Sequence, residues 1–260
     1  MSGYGIDHDP SYIDNHFFLY YHGVEHILPI GLEEDKYMNI TYIHHSCFLV
    51  ETRRFYFLFD YQTGNLPEMN VAKPIFVLSS HGHADHYNPE IFTLLSGLGM
   101  EHIRAILSDD ITAPANIDTL LVSPEQEYTL DTALKLTTLR STDLGVAFLI
   151  EDEQTLIYHA GDLNDWVWDD ESEAYNNQMT LDYRKQIDLL GAKVGQRKID
   201  AAFVVLDPRQ EKDYHRGLCY FLEHIPAKQV YPMHYWQSPA IIETFLKEHP
   251  EYTLQIQKTE

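Results

Sequence analysis

From residue 38 onward the chain alternates short apolar or β-branched runs with turn residues. The runs at 39–44, 47–51, 55–60 and 75–80 predict strands. Asn88 is placed to cap a helix with Pro89 at its first position, and Ile91, Leu94, Leu95 and Leu98 recur at helical spacing before Gly99. Further strand patterns at 103–108, 119–123, 134–139, 146–151 and 155–159 lie close enough together for antiparallel pairing, which implies a second sheet. Residues 166–174 are aromatic and acidic, and the run Asp169 to Glu173 reads as a solvated loop. Leu181, Ile187, Leu190 and Val194 then mark a helix able to lie across a sheet. Strand patterns return at 201–206 and 229–232, a short helix at 241–246, and a last strand at 252–257. With no linker, low-complexity tract or fixed-period repeat, this order predicts an α+β domain over residues 38–260. It holds two mainly antiparallel sheets flanked by helices. Residues 1–37 carry apolar clusters such as Phe17-Phe18-Leu19-Tyr20-Tyr21 without a sustained period, and are expected to form an N-terminal extension packed on the main body.

Composition narrows the partners. The 260 residues are 44% hydrophobic and 22% charged, as in folded globular chains. Against 40 acidic residues stand 18 Lys and Arg, and the formal net charge of -22 repels polyanions, so no nucleic acid is expected. No stretch reaches the roughly 18 apolar residues of a membrane span. The first basic residue is Lys36, so the charged start of a secretory signal is missing and a cytoplasmic location is expected. Cys47 and Cys219 stand far apart and read as reduced thiols. The 15 histidines point toward metal chemistry, because imidazole is the commonest metal ligand.

That chemistry concentrates in His81-Gly82-His83-Ala84-Asp85-His86, between an apolar strand and a helix. On an extended strand end His81 and His83 share a face, so both imidazoles can reach one ion. Asp85 and His86 fall where the chain bends into the helix and point elsewhere, which suits a second ion about 3.5–4 Å from the first.

The pattern His81-x-His83-x-Asp85-His86 resembles the signature of the metallo-β-lactamase-fold hydrolases, whose fold is a four-layer αββα sandwich. Other landmarks follow in order. Phe59-Asp60 resembles the strand-end Asp that buttresses the histidine loop, Ala160-Gly161-Asp162 the carboxylate that bridges two metals, and Tyr231-Pro232-Met233-His234 the late histidine of the second site. The resemblance implies two divalent ions, zinc first, with manganese or iron as alternatives. One departure stands out: where the family supplies a further histidine before a strand, this chain has Ser141-Thr142-Asp143-Leu144-Gly145. Either Asp143 replaces that histidine as an oxygen ligand and admits harder ions, or it is a turn residue and the first site holds only His81, His83, Asp162 and water.

Within the superfamily, His44-His45-Ser46 and Tyr158-His159-Ala160-Gly161-Asp162 are similar to the branch containing L-ascorbate-6-phosphate lactonase. His45 then reads as a contact to substrate or to a metal ligand, or as a buried hydrogen-bonded histidine, and His159 as structural. Arg209, in Asp207-Pro208-Arg209, could meet an anionic substrate or form a surface salt bridge. Tyr235 and Trp236 could wall the pocket or pack in the core.

The expected activity is metal-dependent hydrolysis of a small ester, lactone or phosphoester by a metal-activated hydroxide, with Asp85 as both ligand and catalytic base. The competing reading is a degenerate domain that binds a ligand or partner without turnover, motivated by the missing histidine. A nuclease ranks below both, since no Lys/Arg cluster is present. An oligomer is compatible with the sequence.

Overall fold

The computed structural model describes residues 37–153 and 155–258. The expected extension over residues 1–37 lies outside this range apart from Tyr37. Two six-stranded sheets form the body. The first takes β1 (Met38–His44), β2 (Cys47–Thr52), β3 (Tyr56–Phe59), β4 (Ile75–Ser79), β5 (Ile103–Ser108) and β6 (Asp118–Val122) in sequential order, with helix α1 (Glu90–Gly97) between β4 and β5. The second takes β7 (Glu127–Asp131), β8 (Leu134–Arg140), β9 (Val146–Asp152), β10 (Thr155–His159), β11 (Ile199–Val205) and β12 (Ala227–Met233). Helix α2 (Glu173–Val194) joins β10 to β11, α3 (Arg216–His224) joins β11 to β12, and α4 (Ala240–Glu248) follows.

Both sheets are mixed, which corrects the mainly antiparallel expectation. Strands β1 to β3 and β7 to β10 pair antiparallel through short turns. Strands β3 to β6 and β10 to β12 pair parallel. A parallel neighbour needs a crossover that returns the chain to the same end, and the stretches carrying α1, α2 and α3 are such crossovers.

Alternation of side chains along the strands builds the layers. In the first sheet Cys47, Leu49, Leu58, Val77 and Leu107 face α1 and meet its Ile91, Phe92 and Leu95. Their neighbours Phe48, Val50, Phe57, Phe59, Leu78 and Ile106 face the other sheet, packing with Phe148, Ile157, Phe203 and Val205. Phe48 and Phe203 approach to 4.4 Å between ring centroids across this interior. The buried face of α2, with Tyr183, Ile187, Leu190 and Val194, joins Leu218 and Phe221 of α3 and Ile242 and Phe245 of α4 over the second sheet.

Four elements depart from expectation. Helix α2 begins at Glu173 because Ser172 caps it, its side chain accepting the Tyr175 N–H at 3.2 Å, so the acidic run 169–173 is a loop only up to that cap. Leu181 lies on its solvent side, 61% exposed. Strand β7 alternates without a strong apolar face, and α3 is not among the expected helices because its polar residues Arg216, Glu223 and His224 dilute its apolar content even though Leu218 and Phe221 are buried. The expected strand over 252–257 is a 3-10 turn at Pro250–Tyr252 and a single bridge, Val230 to Ile256.

Candidate metal centre

The strand ends of both sheets meet at one edge of the sandwich. The histidine loop leaves β4, His45 leaves β1, and Asp60 leaves β3. From the second sheet come Asp143 just before β9, Asp162 just after β10, and Asp207 and His234 just after β11 and β12. Hydrogen bonds tie the two sheets here: Val146 N–H donates to Ser80 O at 2.9 Å. The His159 ring donates from Nε2 to Ser46 O at 2.8 Å and lies parallel to Phe59. His159 is thus structural, as expected.

Asp60 is fully buried and its carboxylate accepts three bonds of 2.7 Å, from Ser80 N–H, Ser80 Oγ–H and His86 Nδ1–H. Ser80 Oγ, having donated to Asp60, accepts from His81 Nδ1–H at 3.0 Å. On the opposite side His234 Nδ1–H donates to Asp207 Oδ2 at 2.9 Å, and Arg209 also donates to Asp207. In all three imidazoles a partner holds Nδ1 and Nε2 turns inward. A hydrogen-bonded outer partner that fixes tautomer and ring angle is the arrangement that metal-ligating histidines use. Gly82 N–H is held by Asp110 Oδ2 at 2.7 Å, which anchors the loop from outside.

The inward atoms form two groups that could each hold a metal ion. His81, His83, Asp143 and Asp162 make one, and His45, Asp85, His86 and His234 the other; in each, one donor atom per residue lies within 4.8 Å of the rest. In the first, His81 Nε2 is 3.0 Å from His83 Nδ1 and 3.6 Å from Asp162 Oδ2, and His83 Nδ1 is 3.7 Å from Asp143 Oδ2. In the second, Asp85 Oδ2 is 3.6 Å from His45 Nε2 and 3.8 Å from His86 Nε2. Asp162 touches both: its Oδ2 faces His81, while its Oδ1 lies 3.1 Å from His86 Nε2 and 3.4 Å from His234 Nε2. Tetrahedral ligands about 2.0–2.1 Å from an ion stand roughly 3.4 Å apart, so these separations match a coordination shell.

Five buried atoms at the centre, both nitrogens of His45, Nε2 of His86 and His234, and Asp162 Oδ1, have no hydrogen-bond partner among the described residues. Each such atom costs about 1–3 kcal/mol, and together they would consume much of the 5–15 kcal/mol by which a domain is stable. A cation would take up one nitrogen of each histidine and the Asp162 oxygen, so the residues fit the group that their chemistry suggests. The field agrees. Burial would raise Asp162, but His86 and His234 hold its carboxyl far below the usual range. Burial opposes charge on His86, yet Asp162 and Asp60 draw positive charge to it and raise its pKa. Burial keeps His45 and His81 neutral.

A cavity of about 220 Å³ opens over these atoms. Trp166, Trp168, Tyr175 and Met179 line one side, and Arg209 is the permanent cation among its lining residues. The Arg209 guanidinium lies over Trp236 at 4.8 Å, and Trp236 packs at a tilt against His45 with centroids 4.5 Å apart. Trp236 is 40% exposed and Tyr235 is buried, so the first packs beside the site and the second in the core. Asp207 was visible in the sequence only as a neighbour of Arg209; its place as partner of His234 follows from the parallel register of β11 and β12, in which Leu206 N–H bonds to Met233 O. Trp166 and Trp168 lay within the acidic aromatic stretch and carried no separate signal.

Two packed mixed sheets with helices outside, and paired His/Asp clusters at one edge, define the metallo-β-lactamase fold. A family model, the beta-lactamase superfamily domain, matches residues 39–178, and the chain belongs to that family. Solved structures agree on the fold. A metallo hydrolase from the hyperthermophilic archaeon Ignicoccus hospitalis superposes with a TM-score of 0.59 at 15% identity, covering 86% of this chain and 95% of its own. CmlA, a diiron β-hydroxylase from Streptomyces venezuelae, gives 0.55 at 12% identity over 86% of this chain and 53% of its own. The metallo-beta-lactamase fold protein YhfI from Bacillus subtilis gives 0.51 at 15% identity over 83% and 89%. At these identities the likeness is one of fold. A search of the curated proteins found no match in sequence. No helix among the described residues is long and apolar enough to cross a membrane.

Proposed function

We propose that this protein is a metal-dependent hydrolase of a small ester, lactone or phosphoester. The observation that carries the reading is the pair of adjacent His/Asp donor groups beneath a cavity, with partnerless buried atoms gathered at the second. His81, His83, Asp143 and Asp162 would hold one ion, and Asp85, His86, His234 and the second oxygen of Asp162 the other. Bound divalent ions supply a water acidified to a pKa of about 7 and a polarised substrate oxygen. Zinc is the first expectation, and the two carboxylates of the first group suit manganese or iron as well.

The chain's own groups then have distinct work. Asp85 is partly exposed, so its carboxylate is placed to take a proton from the attacking water. Asp60 and Asp207 hold His86 and His234 in the tautomer that turns Nε2 inward. Trp166 donates from Nε1 to the main-chain Asp162 O at 2.9 Å and so braces the backbone that carries Asp162 while walling the cavity. Arg209 offers a charge for an anionic portion of the substrate. The cavity is smaller than the roughly 300–1,000 Å³ of clefts that enclose drug-sized ligands, which favours a small substrate.

The test is metal analysis after reconstitution with zinc and with manganese, followed by a panel of chromogenic esters, lactones and phosphodiesters. Chelator-sensitive turnover that is lost in His83→Ala and Asp162→Ala, both folded, is the expected result. A chain that retains no metal overturns the reading. A chain that retains metal but turns over nothing in the panel supports the binding-only alternative.

A further inference from the structure

His45 sits in the turn between β1 and β2 with a backbone φ of 52°, in the left-handed region that costs a non-glycine residue about 1–2 kcal/mol. The ring is 2% exposed, and neither nitrogen has a hydrogen-bond partner among the described residues. A buried imidazole that only fills space is a poor choice at such a position, since its N–H and lone pair both lose water without replacement.

Its surroundings supply a role. The distance from Nε2 to Asp85 Oδ2, 3.6 Å, is too long for a hydrogen bond. It is close to the roughly 3.4 Å that separates neighbouring ligands of a tetrahedral ion. The His45 ring packs 4.3 Å from that of His234 and 5.6 Å from that of His86, and one donor atom from each of the three, with one from Asp85, lies within 4.8 Å of the others. We infer that His45 is itself a ligand of the second metal position, so that three imidazoles, Asp85 and the other oxygen of Asp162 surround that ion. This rests on the metal-dependent reading above.

Two observations separate ligation from the alternatives. Packing at a tilt against Trp236 and His234 needs a ring but no nitrogen, and a phenyl group would pack there without leaving two polar atoms unpaired. A contact to substrate needs access to the cavity, yet His45 is not among the residues that line it, whereas Asp85 and His234 are. The position then differs in kind from its neighbour. The first group has two imidazoles and two carboxylates, and the second, with the other oxygen of Asp162, has three imidazoles and two carboxylates. The nitrogen-richer position suits zinc over harder ions, and its neighbour discriminates less.

The experiment titrates zinc into the metal-stripped full chain against a chromogenic chelator, for wild type, His45→Phe and His45→Asn. Phe keeps the ring and removes the donors. Asn is among the non-glycine residues that best tolerate positive φ and is too short to reach the ion, so it serves if Phe disturbs folding. Circular dichroism of the metal-free forms reports folding. The expected result is wild-type affinity for one ion and at least about tenfold weaker binding of the other, the lower bound seen even when outer partners of ligands are removed. The visible spectrum of the cobalt-substituted chain should change for that ion alone. A folded His45 variant that takes up both ions with wild-type affinity overturns the assignment while leaving the hydrolase reading intact. A wild-type chain that binds no ion defeats that earlier reading instead.

Discussion

Asp60→Asn probes the scaffold under the second group at nearly constant volume. In the wild type three donors converge on the Asp60 carboxylate, two of them from Ser80 and one from His86 Nδ1. An asparagine presents one carbonyl oxygen and an NH2. If the oxygen stays on Ser80 N–H, the NH2 meets His86 Nδ1, which can remain close only by becoming an acceptor. The imidazole proton then moves to Nε2, the atom that lies 3.1 Å from Asp162 Oδ1. If the amide turns over, its N–H groups meet Ser80 N–H, and a buried donor goes unpaired. The first arrangement loses less, and it occupies the metal-facing lone pair. Losing an outer partner of this kind costs about 10–100-fold in metal affinity, or about 1.4–2.7 kcal/mol. The metal-free fold loses a charge-assisted hydrogen bond of about 1.5–3 kcal/mol, which for a chain of this size lowers Tm by roughly 3–10 °C. Chelator competition and calorimetry measure the two effects. A variant that binds both ions as tightly as wild type would refute the tautomer argument.

Other outcomes follow from the same geometry. Gly145→Ala should lose more than about 3 kcal/mol or fail to fold, because a Cβ there would stand 2.0 Å from Ser80 O at a φ of 71°. Gly195→Ala, at a φ of 62° with open space around it, should lose only about 1–2 kcal/mol in urea melts; equal losses would contradict the contact argument. Arg209→Gln should raise KM for anionic substrates about tenfold or more and leave KM for neutral esters unchanged; an equal effect on both classes would remove Arg209 from substrate binding. Burial pushes the Cys219 thiol up to about 11, so the thiol form dominates at neutral pH. Its labelling by a disulfide reagent should be slow at pH 8 and quicken about tenfold per unit up to pH 10, and fast labelling at pH 7 would speak against that environment.

Much of the site was legible because its densest part is local. His81 to His86 fit within one strand end and one bend, where side-chain alternation alone assigns faces. Asp162 and His234 were legible through resemblance and their places at strand ends. Asp207 was not, because its role exists only once β11 and β12 lie parallel and bring the residues after them side by side. The role of Asp60 as buttress of the histidine loop was legible through resemblance, and it is realised because β3 lies beside β4, which seats it next to Ser80. His45 was read as a contact near the site, since a turn position beside a strand gives no direction until φ is known. In the fold, β7 escaped notice because an edge strand alternating between exposed and half-buried positions carries little apolar signal. The pattern at 252–257 looked like a strand but finds only one bridge partner.

The donor atoms come from both halves of the sandwich, with the histidine loop on one sheet and Asp162 and His234 on the other. An ion held there is therefore a rivet between the sheets as well as a reagent. Peeling them apart at that edge would require breaking several coordinate bonds together, so occupancy should set how long the native chain survives a protease, through binding to the folded state alone.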